Sequence, residues 1–377
     1  MSMLSAVIDI GSGSVGLALV LLKRGVVPIL KYSARQELRI QKTLNPKRLL
    51  RQSLGALTVV IGEMQKRGPD IPSKIFCFLS SHLVASQTRV TNLKFNEPTV
   101  VSENIVHGIV ERELQNLKTE YSRLKDGSDV VIEQKIMKIK LNGYEISSFK
   151  NKTAKEVEIS SFFTLISNDT LNKIRRLILD SFHNQQTEFH SFSFAHFSFL
   201  RDLFKLEQNF IFMDIGSEIT DISLVDNGVL EKSASFPLGK NEVIRIMIDK
   251  TNSDQALVES MIKNYTEKVV EIKTNQSHNI SSAGGKWLRA VRLILDEFSL
   301  KEKLPRKMFI LADPSISGLF KKFITSLHLA NLTFLNQEPT VRELTSTDFN
   351  KFYKNESGSA SDPFLTVSTI FVNKLLS

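Results

Sequence analysis

The stretches AVIDIGSGSVGLALV, residues 6–20, and FMDIGSEITDISLVDNGVL, residues 212–230, share one word: Asp-Ile-Gly-Ser, at Asp9 to Ser12 and again at Asp214 to Ser217. Each copy closes a short apolar run (6–10 and 210–215) and passes through a small or polar turn into a second strand-like run (15–22 and 219–225). Strand, tight glycine turn and returning strand make a hairpin whose tip presents backbone N–H groups. Two such hairpins, facing each other from two halves of one chain, can grip the phosphates of a nucleotide. The aspartate that ends each first strand can hold a metal through water.

The bulk of the chain is compatible with that plan. Its 377 residues exceed what one small core organises, so two domains are expected. Hydrophobic residues make up 42% and charged residues 24%, the balance of an ordinary folded protein. The single cysteine, Cys77, excludes an internal disulfide framework and fits a reducing compartment. Apolar runs are far shorter than a membrane span, and the first basic residue, Lys23, follows the first apolar run, against a signal-peptide pattern. The net charge of +9 is scattered, with local excess only around 301–307 and 321–322, so it reads as solvated surface and no nucleic-acid partner is expected.

Between the two hairpins the pattern is legible. A strand is expected at 26–32, then a helix with Asn45 as N-cap, Pro46 at its first position and Gly68 at its stop. A buried strand follows at 75–79. From Glu97-Pro98 the style changes: Ser102 caps a helix bearing Ile105, Val106, Ile109, Val110, Leu114 and Leu117, and alternating strands follow at 130–139, 144–149 and 156–166. This reads as an inserted helix plus antiparallel sheet. A helix starts at Asn168-Asp169, and a Phe-rich segment, 189–204, holds a strand end and a buried helix. Beyond the second hairpin, Asp226-Asn227-Gly228 turns into a strand at 229–236. Residues 239–303 read as helical, broken by the polar stretch 274–285. A strand at 307–311, a helix from about Ser317, a flexible loop at 355–363 and a closing helix complete the chain.

This order resembles the superfamily of actin, the sugar kinases and the heat-shock chaperone ATPases. The two quoted stretches are similar to its first and second phosphate motifs. Within it the chain resembles the bacterial FtsA and PilM proteins: the insertion sits where their subdomain 1C does, and SFPLGKNEVIRIM, residues 235–247, is similar to their Pro-x-Gly-x-Asn run. The resemblance implies an α/β, actin-like ATPase fold of two ribonuclease-H-like domains with an inserted helix-plus-antiparallel-sheet subdomain. The expected division is 1–96 (subdomain 1A), 97–166 (1C-like insertion), 167–208 (1A continued), 209–345 (domain 2, with 2B at about 240–303) and 346–377 (closing segment returning to 1A). It also implies ATP with Mg2+ as cofactor. Phosphate binding would fall to Gly11, Ser12, Gly13, Ser14, Gly216 and Ser217, water-mediated metal binding to Asp9 and Asp214, and the ribose and adenine region to Glu259, Lys263 and Gly318. Asp214 and Glu218 are the catalytic candidates, for at most a slow ATPase.

The chain also departs from the pattern. Relatives carry a glycine run at the second tip, where this chain has Gly216-Ser217-Glu218-Ile219. A carboxylate facing phosphates ~4 Å away would meet roughly 4 kcal/mol of repulsion at an effective dielectric of ~20; turned away, Glu218 would not. The purine turn of relatives is Gly-Gly, where MFILADPSISGLF, residues 308–320, has Ala312-Asp313-Pro314. Gly284-Gly285 precedes a helix and is no substitute.

Two readings stay open. In one, the chain is a cytoplasmic scaffold that couples bound ATP to assembly of a membrane-associated machine, in cell division or, as a PilM-like platform, in type IV pilus assembly. In the other, it is an interaction module that has lost nucleotide binding. The resemblance implies protein partners: a tubulin-like division protein, a short cytoplasmic peptide of a single-span membrane protein, or further copies of the chain itself. Contact with the inner face of the cell membrane would be indirect, since the sequence reaches Ser377 without the basic amphipathic helix of FtsA-like proteins. A small-metabolite kinase lacks a supporting motif, and the seven histidines show no paired ligand spacing.

Overall fold

The computed structural model describes residues 2–67, 71–124, 129–183, 186–267 and 274–376. The chain opens with β1 (Ser2–Ile10), which folds back into β2 (Ser14–Lys23), and β3 (Ile29–Glu37) continues antiparallel. Gly25, at φ 72°, closes the turn after β2 and leaves Val26 and Val27 exposed, so this strand starts later than the apolar residues suggest. Helix α1 (Pro46–Arg67) follows, with Asn45 Oδ1 accepting the Arg48 N–H at 3.0 Å as an N-cap does. The expected stop at Gly68 lies outside the described residues. α1 returns the chain so that β4 (Lys74–Leu79) runs parallel to β1.

β5 (Val84–Val100) leaves this sheet for another. It pairs with β8 (Thr153–Ser167), which pairs with β6 (Asp129–Leu141), and the two-residue β7 (Tyr144–Glu145) forms the edge. β5 is hard to read from its letters because its burial alternates over 89–96 while its hydrophobicity does not: Arg89 and Thr91 share the half-buried face with Leu93 and Phe95, and Val90 is exposed. The expected boundary at residue 97 falls inside it: the ladder shifts register between Lys94 and Thr99, where Pro98, lacking an N–H, is tolerated. Helix α2 (Glu103–Leu124) lays Val106, Ile109, Val110, Leu114 and Leu117 on this sheet.

Helix α3 (Asn168–Phe182), β9 (Gln186–Ser191) and α4 (Phe192–Leu203) complete the first half, with β9 parallel to β4. The second half repeats the scheme. β10 (Phe210–Ile215), β11 (Thr220–Asp226) and β12 (Val229–Phe236) form an antiparallel meander. Helices α5 (Lys240–Thr251), α6 (Gln255–Glu267), α7 (Thr274–Ala283) and α8 (Gly285–Phe298) then lead to β13 (Lys307–Ala312), parallel to β10. The polar stretch expected to break the helices is itself mostly α7: Ile280 and Ala283 are buried in the core of this half, and tertiary packing overrides the weak local propensity. After α9 (Ser317–Thr325), β14 (Thr340–Glu343) adds to β13, α10 (Ser346–Phe349) follows, and β15 (Lys354–Asn355) pairs with β3. Helix α11 (Pro363–Leu375) closes the chain.

The sheet orders are therefore β15-β3-β2-β1-β4-β9 and β12-β11-β10-β13-β14, the same five-strand plan twice, three antiparallel strands then two parallel ones, with β15 added to the first. The central strands are buried on both faces, which explains their unbroken apolar runs. Helices α4 and α11 share one core with both sheets: Phe197, Phe199, Leu365 and Phe371 join Phe76 and Phe78 of the first to Phe210 and Phe212 of the second.

The inserted sheet is pinned by a buried carboxylate. Glu133, on β6 beside a register shift, accepts the Ser191 backbone N–H at 2.9 Å, the Ser191 hydroxyl, and the Thr164 hydroxyl at 3.3 Å, with His190 Nδ1 3.2 Å away. Truncation would leave the Ser191 N–H and hydroxyl buried without this acceptor, while the Thr164 hydroxyl keeps Ser86 Oγ at 3.0 Å. Glu133→Ala is expected to cost roughly 2–3 kcal/mol, read as a lower urea midpoint with an unchanged m value.

Candidate functional site

Each hairpin turn closes on one backbone bond of the same kind: Gly11 N–H to Ser14 O at 3.0 Å, and Gly216 N–H to Ile219 O at 2.9 Å. The tips then meet. The Glu218 N–H donates to Ser12 Oγ at 3.0 Å. A Cβ on Gly13 would lie 1.9 Å from Ser217 Oγ, so only glycine fits there. Gly11, Gly13 and Gly216 all have ordinary backbone angles; close approach, not a left-handed φ, is what requires Gly13.

The second tip is also capped from below by α5. Lys240 and Asn241 donate their backbone N–H groups to Gly216 O (3.0 Å) and Ser217 O (2.9 Å). A Cβ on Gly239 would lie 2.2 Å from Gly216 O. This accounts physically for the run Pro237-Leu238-Gly239-Lys240-Asn241. Glu218 turns away from the hairpin tips and into the protein. Its carboxylate takes Arg245 at 3.0 and 2.9 Å and Asn241 Nδ2 at 2.7 Å, and it is 3% exposed. The repulsion it would exert on phosphates from the tip is therefore absent. Arg245 also reaches the Gln41 carbonyl of the first half at 3.3 Å.

Behind the tips lies a cavity of about 350 Å³. It brings together Asp9, Gly11, Ser12, Gly13, Ser14, Asp214, Gly216 and Ser217. An adjoining cavity of about 250 Å³ includes Glu259. Lys263 is exposed on α6 and lines neither cavity, and Gly318 serves packing, its Cβ position lying 2.5 Å from Thr266 Cγ2. Asp313, in the place of the purine turn, pairs with Lys240 at 2.5 Å and accepts from Ser315 N–H and Oγ at 3.0 and 2.7 Å. Burial works upward on its carboxyl, but Lys240 and Ser315 outweigh it and hold it below the usual range.

Six carboxylates (Asp9, Glu37, Asp214, Asp221, Asp313, Asp362) and two cations (Arg35, Lys240) line the larger cavity. Both cations already hold carboxylates: Lys240 holds Asp313, and Arg35 holds Asp9 at 2.6 Å and Asp362 at 2.5 Å. Neither is free for a phosphate. Nor do the residues at Asp9 fit a hydrated metal ion, because a guanidinium already holds its Oδ2 and brings a positive charge against the carboxylate. Asp214 differs. It is 5% exposed, its Oδ1 has no hydrogen-bond partner, and its Oδ2 lies 3.5 Å from Nδ1 of the fully buried His196. Asp221 faces it across the β10–β11 ladder, and burial together with the Asp214 charge pushes its carboxyl up to about 7. Burial likewise pushes Asp9 up to about 6, against the pull of Arg35. Sequence reasoning missed Arg35, Lys240 and Asp362 as site residues; only Lys240, inside the run that caps the tip, carried a local signal.

No protein-family model matches the sequence, and no curated protein sequence matches it. Among solved structures, PilM in a PilM–PilN type IV pilus biogenesis complex superposes over 100% of this chain and 98% of its own, with a TM-score of 0.64 and 12% identity. The chain has an actin-like fold of the PilM type. The ethanolamine utilization protein EutJ of Carboxydothermus hydrogenoformans aligns at a TM-score of 0.45 and 8% identity, over 99% of this chain and 89% of its own.

Two outcomes follow from the site. Arg245→Ala would strand the Glu218 carboxylate and cost about 3 kcal/mol, most of it recovered when Glu218→Gln is added, as urea unfolding will measure. Asp221, with a folded-state value near 7 against an ordinary 3.8, binds its proton more tightly when folded. Its stabilising contribution is complete below about pH 4 and lost as pH rises towards 7. Asp221→Asn should flatten that part of the Tm profile between pH 4 and 8.

Proposed function

We propose that this chain is an actin-fold scaffold that docks a protein segment and does not depend on ATP turnover. One observation carries the reading: both cations of the cleft are already bonded to the chain's own carboxylates. An enzyme acting on phosphates needs such charges aimed at the substrate. The likeness to PilM, a protein whose structure is that of a complex with PilN, supports a protein partner.

The docking surface that the geometry favours is a groove of about 910 Å³ where α1 and α3 meet the inserted sheet. Leu50, Leu54, Leu83 and Ile166 supply an apolar floor, and Lys47 and Arg51 stand at its rim. Those two cations are exposed and form no ion pair among the described residues. The first turn of α1 carries no acidic residue. The fitting occupant is a short segment with apolar anchors and an acidic flank, which we assign to a cytoplasmic peptide of a single-span membrane protein. No helix among the described residues is long and apolar enough to cross a membrane. In this reading the partner brings the scaffold to the membrane, and the machine it serves is closer to pilus assembly than to division. The buried, unpartnered Asp214 Oδ1 at the wall of the cleft favours a second reading, in which a nucleotide bound in the cleft biases assembly.

The test is fluorescence anisotropy with the cytoplasmic peptides of single-span membrane proteins from the same cell. A binding peptide should lose about tenfold in affinity, ~1.4 kcal/mol, on Arg51→Glu and again on Leu54→Glu. Binding indifferent to both changes, together with ATP turnover abolished by Asp214→Asn, would overturn the proposal.

A further inference from the structure

Asp9, Gly16 and Arg35 lie in one row across three strands: Asp9 is registered with Gly16, and Gly16 with Arg35. A Cβ at Gly16 would sit 2.6 Å from Arg35 Nη2. The glycine in the middle strand is what lets the guanidinium lie across β2 and reach Asp9.

Arg35 there spends four N–H donations. Nη2 gives to Asp9 Oδ2 (2.6 Å) and to Asp362 Oδ1 (3.2 Å), Nε to Asp362 Oδ2 (2.5 Å), and Nη1 to Ser14 Oγ (2.8 Å). A guanidinium has five such donors, so it is nearly saturated. Asp362 is itself fixed, because its Oδ1 also accepts the Phe364 and Leu365 N–H groups at 3.0 and 3.1 Å as the N-cap of α11. The closing segment thus enters the cavity: Ser361, Asp362, Pro363 and Phe364 all line it.

In this fold a metal-bound nucleotide would be organised by the aspartate that ends the first strand. Mg2+ demands octahedral oxygen geometry and keeps several waters. A guanidinium bonded to the same carboxylate takes up its Oδ2, and its charge repels a second cation. We propose that Arg35 is a built-in cation standing in for the metal at Asp9, with Asp362 as the built-in anion beside it, so that the chain fixes the first half's wall of the cleft without a metal-bound nucleotide. The pair does for the halves of the first domain what an external ligand would otherwise do: it joins β1, β3 and the N-terminus of α11 at one point. This deepens the scaffold reading and rests on it only in dispensing with the nucleotide. Peptide docking and metal binding are measured separately, so either can fail alone.

The full-length chain is titrated with Mn2+ and followed by electron paramagnetic resonance, with Mg2+ calorimetry in parallel. Wild type is expected to show no saturable binding at millimolar metal, and no rise in Tm with Mg-ATP. Arg35→Met uncovers Asp9 beside Asp214 and Asp221 and should bind Mn2+ at least about tenfold more tightly than wild type, since a unit charge at contact range is removed. Adding Asp9→Asn to Arg35→Met should abolish the gain. Stoichiometric metal binding by wild type that Asp9→Asn removes would overturn the proposal, and so would a folded Arg35→Met that gains nothing. Should Arg35→Met not fold, the wild-type titration and its Asp9→Asn counterpart decide alone.

Discussion

The contact between the two hairpin tips is the constraint on which the cleft depends. Ser12 Oγ takes the Glu218 N–H, and Gly13 lies against Ser217 with no space for a side chain. Once the tips touch, the rest follows by exclusion. A carboxylate at position 218 has no place between them, so it turns inward, where Arg245 and Asn241 satisfy it. Gly239 must be bare because α5 starts directly under the same tip. The Pro-x-Gly-x-Asn run is thus a clamp on the second hairpin, made of two backbone N–H groups and one side-chain amide.

Most of the cleft's electrostatics is settled internally. Burying a lone charge is costly, and a buried pair returns that cost only when its remaining hydrogen bonds are also satisfied. Arg35 meets this condition with three oxygen-bearing side chains, Asp9, Asp362 and Ser14. Glu218 meets it with Arg245 and Asn241. Asp214 does not, and its neighbour Asp221 answers by holding its proton to higher pH. The end of β10 is thus where a buried carboxylate oxygen of the cleft stays without a hydrogen-bond partner.

How far the sequence disclosed this depended on range. The twin hairpins, the Asn45 cap, the Asn227-Gly228 turn and the apolar face of α2 are local patterns, and each is where its spacing puts it. The actin-like fold was legible from the repeat because a strand–turn–strand word is complete within about fifteen residues, and the likeness to FtsA and PilM from the insertion and the run at 235–247. β5 escaped because its half-buried face mixes Arg89 and Thr91 with Leu93 and Phe95 while Val90 is exposed, so the alternation of burial is not written as an alternation of apolar residues. α7 escaped because its helicity comes from packing against α5 and α8, not from its polar residues. Arg35 and Asp362 are 327 positions apart, and no pattern within either neighbourhood announces that they meet.

That separation reverses the apparent ranking of the two hairpins. By composition the first is the fuller phosphate motif, with Gly11 and Gly13 around Ser12, and the second is eroded by Glu218. By geometry the erosion is harmless, because Glu218 points away and Asp214, which lines the cleft, keeps a buried oxygen without a hydrogen-bond partner. The first hairpin, intact in its letters, has its acid bonded to a residue from β3, which the closing segment holds in turn through Asp362. A motif records which groups are present; whether a charge is available is decided by what else the fold brings to it. Here the fold brings a guanidinium, and the better-written hairpin is the one already answered from within.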